Sequence, residues 1–98
     1  MSAMYEFEWD VQKARTNQEK HGVSFEEAAL AFGDDDYQVK PDDLHSEGED
    51  RFIIMGMSPY GRLLTIAYTL RGEDTVRIIS ARHATSRERR TYEEKKRS

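Results

Sequence analysis

The chain has 98 residues, no cysteine, 37% hydrophobic residues and a formal net charge of −4. This length suits a single domain over residues 1–98, and the lack of cysteine excludes a disulfide framework or a thiolate metal site. No apolar run approaches the ~20 residues of a membrane helix, and residues 1–5 show no secretory signal. We therefore expect a cytoplasmic protein without membrane attachment.

The charge is divided unevenly along the chain. Residues 1–50 contain 4 Lys/Arg and 14 Asp/Glu, a balance of −10, whereas residues 51–98 contain 11 and 5, a balance of +6. The second half can attract a polyanion, or the two halves can neutralise each other across the fold. Charge alone does not decide between these two interpretations.

The first third of the chain predicts one strand and two helices. Residues 7–9 alternate as a short strand, and Asp10 is a suitable N-cap for a helix over 11–21 that Gly22 ends. Ser24-Phe-Glu-Glu27 matches a capping box. An apolar stripe with helical spacing follows it, formed by Phe25, Ala28, Ala29 and Phe32, and Gly33 ends this second helix.

The remainder predicts a sheet and a closing helix. A short strand at 37–39 lies in an acidic loop, and three strands at 52–57, 63–70 and 75–81 are joined by short turns, which favours an antiparallel meander. Thr85-x-x-Glu88 is a second capping box. The fold class is α+β, with two N-terminal helices packed on an antiparallel sheet, plus a C-terminal helix.

An ordered set of residues extends from Phe7 to about Glu93. It comprises Phe7-x-Trp-Asp10, Lys13, Asn17, Lys20-His-Gly-Val-Ser-Phe25, Glu27-Ala28, Phe32, Glu49-x-Arg51, Gly56, Gly61-Arg62, Tyr68, Arg77-Ile-Ile-Ser-Ala-Arg82, Glu88-Arg89 and Tyr92-Glu93. In this order and spacing the set resembles the BrnT-type toxins, the toxin halves of bacterial type II toxin–antitoxin pairs.

The resemblance implies a RelE-like ribonuclease fold and an mRNA interferase-like endoribonuclease that needs no metal or other cofactor. It also implies a BrnA-type antitoxin with a ribbon-helix-helix DNA-binding part as partner, in a 2:2 hetero-oligomer. Promoter DNA would be bound only through the antitoxin. Among the arginines, the resemblance points to Arg71 and Arg82.

Metal-free RNA cleavage requires cations on the phosphorane oxygens and groups that move two protons. Arginine is suited to the first task and histidine or tyrosine to the second. We therefore predict a catalytic set of Arg71, Arg77, Arg82, His83 and Tyr92 and a substrate-binding set of Arg51, Arg62 and Arg87.

Several of these residues have a structural alternative. Arg82 can pair with Glu88, Arg77 can form an ion pair within the sheet, and Arg51 can pair with Glu49. Tyr92 can serve as the apolar anchor of the closing helix, and His83 can be a solvated turn residue. His45, Glu47, Glu49 and Asp50 are interpreted as a solvated charge run rather than a metal site.

The turns also constrain the geometry of the site. They place Arg82 and Arg62 at one end of the sheet and Arg51 and Arg71 at the other, roughly 20–25 Å away, with Arg77 between. One scissile phosphate cannot touch both groups in flat, regular strands. Either the strands are bulged or curved, or one group binds flanking phosphates while the other takes part in the reaction.

Two other functions remain open at this point. The chain can be a non-catalytic antitoxin-binding module that acts as a co-repressor. An independent DNA-binding role is disfavoured by the acidic N-terminal half and by the lack of an evident major-groove helix.

Overall fold

The computed structural model describes residues 5–45 and 48–97. The sheet contains β1 (Glu6–Glu8), β2 (Gln38–Pro41), β3 (Arg51–Met57), β4 (Leu63–Arg71) and β5 (Thr75–His83). The helices are α1 (Val11–His21), α2 (Phe25–Ala31) and α3 (Ser86–Arg97), with a 3₁₀ turn at Asp43–His45. The predicted mixed α+β class is confirmed.

The strand order in the sheet is β1-β5-β4-β3-β2. Strands β2 to β5 form the expected antiparallel ladder, but β1 pairs in parallel with the start of β5, with Phe7 beside Val76. The prediction of a wholly antiparallel sheet was therefore wrong at this edge. A parallel neighbour needs a long crossover, and everything from α1 to β4 lies between these two strands.

Both helices in the first third of the chain begin with the predicted caps. The Asp10 carboxylate accepts a hydrogen bond from the Lys13 amide at 3.1 Å, and the Ser24 hydroxyl accepts one from the Glu27 amide at 3.0 Å. Helix α1 ends at Gly22 with a φ of 71°, a left-handed conformation that costs glycine little.

The main core lies between α2 and the face of the sheet that α1 and α2 cover. Its buried side chains include Val23, Phe25, Ala28, Ile54, Leu64, Ile66 and Ile78. Helix α2 approaches β3 closely at Gly56, where an added Cβ would lie 2.5 Å from the Ala31 carbonyl oxygen. This approach fixes α2 on the sheet because no larger residue fits without backbone movement.

A smaller cluster holds α3 against the opposite face. Tyr92 is 1% exposed and packs with Met55 and Leu63. Its hydroxyl donates to Asp34 Oδ2 at 2.5 Å, and its carbonyl oxygen accepts from Gln38 Nε2 at 3.1 Å. Helix α3 therefore depends on one aromatic anchor. None of the helices within residues 5–45 and 48–97 has the length and apolar character to cross a membrane.

Candidate functional site

A β-bulge in β5 decides which arginines share a face of the sheet. Ser80 is paired with Ala67, and Ile78 is paired with Tyr68, so Ile79 is the extra residue. Arg82 lies opposite Thr65 and Arg77 lies opposite Thr69. Directly paired residues point to the same face, and Thr65 and Thr69 are an even number of residues apart. Both guanidinium groups are therefore on the face opposite α1 and α2, which we call the open face.

Arg51 joins these two arginines on the open face. Thr69 pairs with Arg51 on one side and with Arg77 on the other, so the three residues form one row across the sheet. Four residues of β4 separate this row from the row of Arg82, about 13 Å along the strand. The prediction that Arg77 lies between the two arginine groups was therefore wrong, because it is level with Arg51. Arg71, at the tip of β4, lies further from Arg82 than either of them.

Arg82 is held by Glu88 at the start of α3. Its guanidinium donates to both carboxylate oxygens, at 2.8 and 3.0 Å, and to the His83 carbonyl oxygen at 3.2 Å. The Arg82 bond is the largest influence on the pKa of Glu88, which is lowered to about 2. The side chain of Arg82 remains 41% exposed, so the pair is open to solvent and to a competing anion.

Glu88 also organises its surroundings. Its Oε1 accepts from the Thr65 hydroxyl at 3.0 Å and from the Thr85 amide at 2.9 Å, while Thr85 Oγ1 accepts from the Glu88 amide at 3.1 Å. The predicted capping box of α3 is thus confirmed. The Glu88 carboxylate also joins the start of α3 to Thr65 of the sheet and to Arg82.

The second row has looser contacts. Arg77 donates to Glu8 Oε2 at 2.9 Å, and the two side chains are 34% and 40% exposed. Arg51 Nε lies 4.0 Å from Glu49 Oε1. The ion pairs that the sequence offered as alternatives for Arg77 and Arg51 are therefore present. An ion pair as exposed as that of Arg77 and Glu8 stabilises a fold by about 0–1 kcal/mol, so a phosphate can compete with Glu8 for Arg77.

A groove of about 220 Å³ runs along the open face between the sheet and α3. Its floor includes Ile53 and Met55, and its polar lining includes Gln38, Lys40, Arg87 and Lys95. We call it the α3 groove. Thr65 and Glu88 also line the groove. Since Glu88 accepts a hydrogen bond from Arg82, only the Glu88 side chain separates the edge of the groove from Arg82.

Arg62 and His83 do not face this groove. Arg62 forms a close ion pair with Glu27 of α2, and its Nε donates to Glu27 Oε2 at 2.9 Å. The Arg62 bond is the main reason that the pKa of Glu27 is lowered, and His83 contributes to the same shift. Arg62 was expected beside Arg82; it lies at that end of the sheet but turns to the covered side to fasten α2.

Tyr92 is buried and its hydroxyl proton is engaged by Asp34. Burial, followed by the hydrogen bond to Asp34, raises the pKa of Tyr92. Asp34 also accepts from the Met57 amide at 2.7 Å. The structure therefore places Tyr92 in the packing position that the sequence offered as an alternative to a catalytic one.

The sequence did not single out five polar residues of the groove: Gln38, Lys40, Thr65, Thr91 and Lys95. Gln38 and Lys40 lie in the acidic loop region, where the sequence shows no clear periodicity, and Lys95 is one of many cations in α3. Only the pairing of β2 with β3 brings these segments together. Within residues 5–45 and 48–97, no group of three or more metal-ligating side chains is found. Glu47, part of the rejected metal alternative, lies outside the described residues.

A family model described as the ribonuclease toxin, BrnT, of type II toxin–antitoxin systems matches residues 9–88. The chain belongs to the BrnT family. A BrnT toxin is a ribonuclease toxin, and a type II system implies both an RNA substrate and an antitoxin partner.

The crystal structure of the Brucella abortus ribonuclease toxin BrnT has a similar fold. The TM-score is 0.63 with 22% sequence identity, over 87% of this chain and 100% of that one. At this identity the likeness concerns the fold, while the family model carries the assignment. No curated protein matches the sequence.

Proposed function

We propose that this chain is an endoribonuclease of the RelE-like type that cleaves mRNA on the open face, without a metal ion. The observation that carries the proposal is the placement of Arg51, Arg77 and Arg82 on the one face of the sheet that α1 and α2 do not cover. Arginine holds two phosphate oxygens at once and stays charged at any working pH, so such a face suits a polyanion.

In this proposal Arg82 stabilises the oxyanion at the scissile phosphate, while Arg51, Arg77 and Arg71 bind phosphates further along the strand. A row spacing of about 13 Å allows this division between two or more phosphates of one RNA. The RNA 2′-OH attacks the neighbouring phosphorus, the bond to the 5′-oxygen breaks, and a 2′,3′-cyclic phosphate forms. The sheet need not supply a nucleophile.

The Arg82–Glu88 pair suggests how the reaction would begin. A phosphate that takes Arg82 from Glu88 removes the strongest influence that lowers the pKa of this carboxylate. Glu88 then becomes a better base beside the phosphate and accepts the 2′-OH proton. His83 follows Arg82 in β5, so its side chain starts from the opposite face of the sheet. It can return a proton to the leaving 5′-oxygen only if the RNA passes over that end of the sheet.

The test is incubation of the purified full chain with single-stranded RNA in EDTA. Cleavage that leaves 2′,3′-cyclic phosphate ends, and that is lost in Arg82→Ala, supports the proposal. Intact RNA under these conditions, with the antitoxin absent and the protein folded, would overturn it.

The partner in this proposal is a BrnA-type antitoxin with a ribbon-helix-helix part, bound in a 2:2 complex in the cytoplasm. The complex would reach promoter DNA only through the antitoxin. Membership of a type II toxin family supports the existence of this partner. The mass of the co-purified complex tests the stoichiometry.

A second function has some support from the structure. Arg77 and Arg82 are both ion-paired, and Tyr92 is buried, which suits a non-catalytic module that only binds its antitoxin and acts as a co-repressor. Tight antitoxin binding together with intact RNA in the EDTA assay would favour this alternative.

A further inference from the structure

The α3 groove has a floor and a rim of different character. Ile53 and Met55 contribute apolar surface from β3, and Met55 is 9% exposed. Lys40, Arg87 and Lys95 bring three cations around that apolar floor. An apolar slot bordered by cations complements a flat, uncharged ring that is joined to phosphates. Its volume of about 220 Å³ is below the 300–1,000 Å³ of a drug-sized site, so it suits one small ring system.

Gln38 places a side-chain amide at the α3 groove, with its donor and acceptor atoms in fixed positions. One N–H of its amide is used by the Tyr92 carbonyl oxygen at 3.1 Å, which sets the direction of the amide group. Within the described residues, no hydrogen bond is formed by the Gln38 carbonyl oxygen or by the second N–H. A side-chain amide with one acceptor and one donor remaining is the group that recognises a base edge by two hydrogen bonds.

The groove is also joined to the arginine that the proposed reaction uses. Thr65 lies in the groove wall and donates to Glu88 at 3.0 Å, while Arg82 holds the same carboxylate at 2.8 Å. A phosphate on Arg82 would therefore place the adjoining nucleotide at the mouth of the groove. Recognition of single-stranded RNA commonly depends on bases that are unstacked and held against side chains, including guanidinium planes such as that of Arg87.

We propose that the α3 groove holds one unstacked nucleobase of the bound RNA and that the Gln38 amide recognises its edge. The proposal rests on RNA binding at the open face and names the specificity site of that face. Gln38 selects the base, Ile53 and Met55 contact its ring, and the surrounding cations hold the flanking phosphates.

The experiment compares the wild-type chain with Gln38→Leu and Thr91→Trp. Thr91 lines the groove from α3, so a tryptophan there fills it without altering Arg82. Thr16→Trp is the matched control, because Thr16 is exposed on α1 on the other side of the molecule. The substrates are short RNAs that differ at one nucleotide beside the cleaved bond, and kcat/KM is measured for each.

We expect the wild type and Thr16→Trp to prefer one base. The ratio between the best and worst base should fall about tenfold in Gln38→Leu, the value of one bidentate base contact. In Thr91→Trp all bases should be cleaved slowly, with KM raised. An unchanged preference in both groove variants, or no preference in the wild type, would overturn the proposal.

Binding of 2′-deoxy versions of the same oligonucleotides separates this inference from the proposed function. These molecules lack the attacking hydroxyl, so their affinity reports the groove even if the chain cleaves no RNA. If Gln38→Leu and Thr91→Trp weaken only the antitoxin complex and leave oligonucleotide affinities unchanged, the groove is a protein-binding site and the nucleobase proposal is wrong.

Discussion

Arg77 and Arg82 are five residues apart in one strand, yet both point to the same face of the sheet. In a regular strand an odd separation places side chains on opposite faces. The extra residue of the bulge, Ile79, restores the match, with Arg77 opposite Thr69 and Arg82 opposite Thr65. The bulge therefore accommodates the one residue that would otherwise turn one of these two arginines to the covered face.

Deletion of Ile79 should leave the arginine arrangement and the fold largely intact. It reduces the separation of Arg77 and Arg82 from five residues to four, which regular alternation places on one face. Ile78 and Ala81 then keep their buried positions on the other face. Urea unfolding at pH 7 measures the stability, with Ile79→Ala as the control that retains the bulge. A loss of about 3 kcal/mol or more in the deletion variant, the cost of an uncompensated buried guanidinium, would refute this account of the bulge.

Arg82→Ala should lower the rate of RNA cleavage by about 10²–10³-fold, the usual effect of removing one oxyanion donor. Arg82→Lys should recover only part of the rate, because an ammonium keeps the charge but not the two-pronged geometry. Arg90→Ala is the matched control, since Arg90 lies on the surface of α3 away from the groove. Single-turnover cleavage of a labelled RNA provides the measurement. Full activity of Arg82→Ala would remove Arg82 from the mechanism.

Glu88→Gln tests whether Glu88 acts as a general base or only restrains Arg82. If Glu88 accepts the 2′-OH proton, the variant should have a kcat reduced by about 10²-fold or more, with KM unchanged or lower because Arg82 is released. If Glu88 merely restrains Arg82, kcat/KM should rise. Glutamine preserves the capping geometry with Thr85, so the fold is expected to persist. Steady-state kinetics on one RNA substrate decides between the two outcomes.

The stability of the chain should fall in acid through Glu88. The pKa of this carboxyl is about 2 in the folded protein against 4.5 for its ordinary value, so its contribution is complete above pH 4.5 and disappears as the pH falls toward 2. Glu88→Gln should therefore lose less stability than the wild type between these pH values.

The measurement is the urea midpoint at pH 7 and at pH 3. Glu26→Gln, which removes an exposed carboxylate from α2, should behave like the wild type. Some acid loss should remain in Glu88→Gln because the pKa values of Glu27 and Asp34 are also lowered. Identical pH dependence in the wild type and Glu88→Gln would contradict the assignment.

Tyr92→Phe tests whether this tyrosine packs or reacts. Loss of the hydroxyl removes one hydrogen bond to Asp34 and should cost about 1–2 kcal/mol of unfolding free energy, while RNA cleavage continues. Tyr92→Ala should cost about 3–5 kcal/mol because it empties the cluster that holds α3. Thermal unfolding and the cleavage assay are run on the same samples. A stable but inactive Tyr92→Phe would restore the catalytic assignment.

Local signals in the sequence predicted much of the fold. The N-caps at Asp10 and Ser24 and the capping box of α3 were evident, because capping needs only residues close in sequence. The parallel place of β1 was missed, since no short segment records which distant strand it joins. A bulge was named as one alternative, but its position was not found because Ile78 and Ile79 are both β-branched, so the run shows no break.

The site was predicted less completely, because most of its contacts join residues that are far apart in the sequence. The sequence named the alternative of an Arg82–Glu88 pair, and the structure contains it. It could not show that Arg62 turns to Glu27, where Ser58 also donates to the same carboxylate at 2.8 Å. Nor could it bring Gln38 of β2 beside α3, because that contact joins segments 54 residues apart.

Asn17 has a consequence for assembly. Strand β1 is short, and beyond it the Asn17 side chain takes both backbone hydrogen bonds of Ala81, accepting from its amide at 3.1 Å and donating to its carbonyl oxygen at 2.8 Å. The outer margin of β5 is therefore closed to an incoming polypeptide at this point. A partner that extends the sheet with a strand of its own would have to displace Asn17 there, whereas β2 is the last strand at the far margin.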